Sequence, residues 1–127
     1  MTISDNHLKV ITYVSRAALF SIVICILFFS LNKTFPLGLS HADKILHMAG
    51  YFTITLLAIL SWPHQRRRIA IMTLLLGLCI EILQVFQPTR SFHLNDIVAN
   101  IAGIIFAILM VWCVKKCLKL SSTSPVE

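Results

Sequence analysis

The chain has 127 residues, of which 57% are apolar and 13% charged, with a formal net charge of +6. That length makes one domain, residues 1–127, and so little charge cannot coat a water-facing surface. The positive balance does not point to nucleic acid, because the basic residues are grouped between apolar runs, as HQRRR at 64–68 and KKCLK at 115–119, the pattern of membrane topology.

Four apolar stretches follow one another. The first runs from about residue 13 to 31, with Arg16 placed to snorkel toward the headgroups. It resembles a signal peptide in position, but no small-x-small cleavage site follows Phe28, so it is read as a retained anchor. The second covers about 45–62 and stops before Pro63, with Trp62 suited to an interface. The third covers about 69–86 and is ended by Pro88; the fourth covers about 97–114 and runs into the KKCLK cluster. Each is close to the roughly 20 residues needed to cross a 30 Å hydrocarbon core. None alternates as a lipid-facing strand would, and backbone groups in lipid must be satisfied internally, so the spans are predicted to be helices. The expected fold is an all-α integral membrane four-helix bundle.

Cysteines 25, 79, 113 and 117 lie in or beside apolar runs without metal-ligand spacing, and are read as small hydrophobes. Cys117, beside Lys115 and Lys116, is read as an interfacial residue rather than an acylation site, and the Asn32-Lys33-Thr34 sequon as a chance match abutting a span.

Orientation follows from the basic residues. With the amino terminus inside, Lys9, Arg16, Arg66, Arg67, Arg68, Lys115, Lys116 and Lys119 face the cytoplasm. Of the eleven, only Lys33, Lys44 and Arg90 then face out, which predicts both termini in the cytoplasm of an inner-membrane, multi-pass protein.

Three of the five acids lie at or near span ends rather than in the tails: Asp43, Glu81 and Asp96. An ionised carboxylate in hydrocarbon costs at least ~2.5–3.5 kcal/mol, so such groups turn toward a bundle interior and mark a site. Asp43, His47, Gly50 and Tyr51 share one helical face; Glu81 and Gln84 share another, with Gly77 a turn inward; Asp96, Asn100 and Gly103 share a third. Small residues continuing a polar stripe suit close helix packing in lipid, so the three faces are expected to meet at the outer leaflet. Structural roles compete with this reading. Asp43 and Asp96 are placed to cap helix starts, Gln84 and Asn100 to bond helices together, His47 to sit hydrogen-bonded at the interface, and Arg90 to meet lipid phosphate. Glu81 resists such a role, lying about 7–8 Å inside the outer end of its span. His93 is a weaker candidate for the same cluster.

DKILH at 43–47, followed by Tyr51 and then by EILQVFQPTRSFHLNDIVANIAG at 81–103, resembles the VanZ-like family of small bacterial membrane proteins. The family pattern of Asp-Lys-x-x-His, Glu-x-x-Gln, Pro-x-Arg and Asp-x-x-x-Asn-x-x-Gly is filled by Asp43, Lys44, His47, Glu81, Gln84, Pro88, Arg90, Asp96, Asn100 and Gly103. The motifs cover about half the chain, and the four-span layout extends the likeness to most of it. What the resemblance implies is a link to low-level resistance to the glycopeptide antibiotic teicoplanin.

Three readings of function compete. In the first, the outward polar site binds or acts on an envelope lipid or a cell-wall-linked ligand. Two helix starts and the cations Lys44 and Arg90 favour an anionic headgroup, with Tyr51, Gln84 and Asn100 as further ligand-binding residues. In the second, a membrane-embedded enzyme acts on a lipid headgroup, with Asp43, His47, Glu81 and Asp96 as acid–base candidates; no serine or cysteine stands by as nucleophile, so hydrolysis would run through activated water. In the third, the network locks a structural or transport partner together without chemistry. No cofactor is expected, and no metal, since Lys44 and Arg90 would oppose one among those carboxylates.

Overall fold

The computed structural model describes residues 5–31, 40–86 and 94–121. They form four helices: α1 (Asp5–Leu31), α2 (Ser40–Ser61), α3 (Arg66–Val85) and α4 (Leu94–Ser121). All four are long and apolar enough to cross a membrane. The Asn32–Thr34 sequon, Pro88, Arg90 and His93 lie outside the described residues.

The helices outrun the apolar stretches. α1 begins eight residues before Tyr13, and α4 continues through the KKCLK segment. Neither extension contains Pro or Gly, and once a helix is nucleated each further residue adds a hydrogen bond at small cost. One expectation is corrected by these boundaries. α2 starts at Ser40 and α4 at Leu94, so Asp43 and Asp96 lie inside the first turn and not at the cap position. An acid there still opposes the positive helix end, which is favourable by about 0.3–1 kcal/mol when exposed.

Pro63 cannot continue α2, and the turn to α3 is short. The Trp62 amide donates to the Ala58 carbonyl at 2.9 Å and the Gln65 amide to the Trp62 carbonyl at 3.1 Å. Consecutive helices therefore run antiparallel, while α2 and α4 run side by side in the same direction, and this parallel pair is the most extensive contact in the bundle. Gly103 explains how close they come. A Cβ there would run into the Met48 carbonyl oxygen and lie 2.9 Å from the Phe52 nitrogen. α1 packs on α2 and more lightly on α3; among the described residues it makes no contact with α4.

The bundle is apolar outside. Phe20, Ile24 and Phe28 on α1 and Trp112 and Leu118 on α4 are more than half exposed. In water such a surface would aggregate; in lipid it is solvated, and packing rather than hydrophobic exclusion holds the helices. The four cysteines lie on this outer surface. Inside, Ala58, Ile59 and Ile69 form an apolar cluster with Leu19, Trp62, Ile108 and Val111, near the end where α2 turns into α3. The opposite end of the interior is polar.

Candidate functional site

The polar end is assembled by three helices, each contributing side chains at i, i+3 or i+4. On α3 the buried residues are Ile69, Thr73, Gly77, Ile80, Glu81 and Gln84, one continuous face. α2 turns His47, Tyr51 and Thr55 toward it, and α4 turns Asp96, Asn100 and Gly103. Glu81 is 1% exposed, Asn100 and Tyr51 2% each, and Gln84 and Asp96 are also buried. His47 and Lys44 are half-buried on α2.

Gly77 is the position around which the three helices close. A Cβ on it would stand 3.1 Å from Asn100 Nδ2 and 3.2 Å from two carbons of the Tyr51 ring, so glycine lets both groups lie this close to α3 without yielding. Asn100 also reaches α2 on its other side, where His47 Nδ1 and Asn100 Oδ1 are 3.1 Å apart. An amide oxygen only accepts, so Nδ1 carries the proton and donates. In the neutral ring, Nε2 is then the basic nitrogen. Glu81, one turn beyond Gly77, is close enough to act electrostatically on the Tyr51 hydroxyl.

That hydroxyl is the outlier of the site. Tyr51 Oη is buried and has no hydrogen-bond partner among the described residues. Leaving a buried hydroxyl unmet costs on the order of 1–3 kcal/mol.

Of the nine residues singled out from sequence, the structure brings His47, Tyr51 and Asn100 together around Gly77, and buries Glu81, Gln84 and Asp96 at the same end of the interior. Lys44 lies one turn before His47. Asp43 falls in the first turn of α2 with its side chain outside the described residues, and Arg90 lies outside them altogether. Among the described residues, no three of His, Cys, Asp and Glu gather closely enough to hold a metal ion. The sequence reading passed over Thr55 and Thr73, both fully or nearly fully buried. Both were legible: Thr55 continues the 47–51 spacing, and Thr73 continues the 77–81 spacing in the other direction.

The chain can now be set beside known proteins. No solved structure matches it. It is 37% identical over 73 residues to an uncharacterized protein of Schizosaccharomyces pombe, a match covering 54% of this chain and 45% of that protein. The chain thus spans about half the length of that relative. Since the relative comes from a yeast, the likeness carries no bacterial origin with it. The sequence model of the VanZ/LLP1 family matches residues 7–115, nearly the whole of the four-helix region, and the chain belongs to that family.

Proposed function

We propose that the polar end of the bundle is an outward-facing site that binds, or acts on, the anionic headgroup of an envelope lipid or cell-wall-linked ligand. One observation carries this reading: Glu81, Gln84, Asp96 and Asn100 are buried at one end, where the Tyr51 hydroxyl has no hydrogen-bond partner among the described residues. A set of polar groups this costly in lipid is retained for a purpose. Support comes from the positive ends of α2 and α4, which both lie at this end, and from Lys44 beside them. A link to glycopeptide resistance is the family expectation; binding of this kind would alter how such a drug reaches its target at the surface.

Acid–base chemistry at the same site is the second reading. It is favoured by the His47–Asn100 hydrogen bond, which fixes the tautomer and leaves Nε2 as a base.

Glu81→Gln tests both readings. The change keeps shape and hydrogen-bonding capacity while removing a charge, which is often neutral or stabilising for a buried group. Normal membrane abundance is expected, with unchanged or higher thermal stability in detergent and loss of the envelope phenotype. Lipid and cell-wall precursors would be profiled in parallel at matched expression. An altered product pool assigns chemistry, and altered drug susceptibility with an unchanged pool assigns binding. Disappearance of the variant from the membrane, or a fully retained phenotype, would hand the site to the structural reading.

A further inference from the structure

Resting on the reading just given for the polar end, we infer that its ligand is a lipid, one acyl chain of which lies in the groove between α3 and α4. The groove is lined by Ala70, Ile71 and Leu74 on α3 and by Ile101, Ile104 and Ile105 on α4, and its volume is about 170 Å³. All six lining residues are apolar. A dry apolar cavity of about 150 Å³ takes a hydrocarbon the size of benzene, so this groove has room for a short length of chain. It offers no side chain that would bond a polar group.

Both ends of the groove are closed. Toward the polar end, Asn100 of α4 lies against α3 at Gly77. Toward the basic end, Ile108 and Val111 of α4 pack on the apolar cluster that includes Ile69 of α3. Ala70 is the small residue of the lining, and a longer side chain there would enter the groove.

Helical register joins the groove to the site. Leu74 lies one turn from Gly77, and Ile101 follows Asn100. Positions 101–105 lie about 7–14 Å along α4 from Asp96, at 1.5 Å per residue. One leaflet's share of a 30 Å hydrocarbon core is about 15 Å, so a chain hung from the polar end reaches the groove. A helix, from a second copy or another protein, fits it less well. The lining spans 70–74 on one helix and 101–105 on the other, about 6 Å on each. A docked helix anchors at i, i+3, i+4 and i+7, over about 10 Å. A single unbranched chain needs no such length.

The full-length protein would be reconstituted in phosphatidylcholine vesicles. A minor fraction of the lipid, either phosphatidylglycerol or phosphatidylcholine, would carry a diazirine in the distal half of one acyl chain. Illumination, digestion and mass spectrometry then read where each chain lies. Phosphatidylglycerol should label segments 70–74 and 101–105 about threefold or more over phosphatidylcholine. Ala70→Leu fills the groove and should remove most of that labelling. Met72→Phe adds bulk at an exposed position on the other side of the same turn and should leave it unchanged. A phosphatidylglycerol preference with the label elsewhere on the helices overturns the assignment of the groove and leaves the polar-end reading standing. Equal labelling of the groove by the two lipids overturns both. Labelling that survives Ala70→Leu, or that Met72→Phe removes equally, also overturns the groove. If Ala70→Leu does not accumulate in the membrane, Ile105→Phe, at a half-exposed lining position, is read in its place with the same expected loss.

Discussion

A threonine in a membrane helix can satisfy its own hydroxyl, and a tyrosine cannot. Thr53, Thr55 and Ser61 donate to the carbonyls of Ala49, Tyr51 and Leu57 at 2.7–2.8 Å, four residues back in each case. Thr55 is therefore buried without demanding a partner. The phenol of Tyr51 extends past its own backbone into the bundle, where Oη has none among the described residues. Tyr51→Phe should accordingly raise thermal stability in detergent, by about 1 kcal/mol, because an unmet hydroxyl is removed and the ring packing against Gly77 stays. The same variant should lose the envelope phenotype. A stability loss would place an ordered partner on the hydroxyl and a structural role on the residue. Which residues are exceptional was readable from the sequence, since carboxylates and amides in apolar runs are rare and costly. Their pairing was not. Helical spacing assigns His47 and Asn100 to faces, but only the angles and depths of α2 and α4 decide that the imidazole meets the carboxamide.

Among helices, glycine decides approach. Among the described residues three glycines face neighbours, and what each would meet as alanine ranks the outcomes. At Gly103 the obstacle is the backbone of α2, at the Met48 oxygen and Phe52 nitrogen, which cannot turn aside. At Gly77 the neighbours are the Asn100 and Tyr51 side chains, which can yield by a few tenths of an ångström; at Gly50 the contact is the mobile end of Ile26, 3.3 Å away. Gly103→Ala should therefore cost about 1–3 kcal/mol and force α2 and α4 apart. Gly77→Ala should cost less but disturb the site, and Gly50→Ala should be close to neutral, aided by alanine's helix preference of about 1 kcal/mol. Thermal midpoints of the three variants in one detergent check the order; Gly50→Ala proving the worst would refute it. The helices were legible as four apolar runs, whereas their ends were not, because polar residues at the water interface extend a helix as readily as apolar ones within it.

For the whole molecule, the antiparallel order brings Lys9, Arg16, Arg66, Arg67, Arg68, Lys115, Lys116 and Lys119 to one end, with Trp62 and Trp112 among them. Lys116 Nζ stands 5.2 Å from the Trp112 ring, a cation–π pair at that end. The positive-inside rule then predicts that position 65 is cytoplasmic and that positions 38 and 92 are outside. Single cysteines at those places, in a variant without the four native ones, can be probed in intact cells with a membrane-impermeant thiol reagent. Labels at 38 and 92 with 65 protected are expected, and the reverse pattern would invert the protein and its polar end. The sequence spoke clearly about span number and charge placement. It was silent on the pairing of α2 with α4, since in lipid nearly every face is apolar and small residues alone hint at which faces meet.

That pairing has a consequence in time. α2 leaves the ribosome long before α4, yet the two form the largest contact in the bundle, and Asn100 on α4 is the group that ties His47 to the neighbourhood of Gly77. Until α4 is inserted, the phenol of Tyr51 and the carboxyl of Glu81 lack the wall that encloses them. The nascent three-helix protein should thus be poorly solvated by lipid until α4 joins it. A chain stopped at residue 93 should be cleared by membrane quality control within minutes of synthesis, whereas supplying α4 as a separate peptide should rescue it.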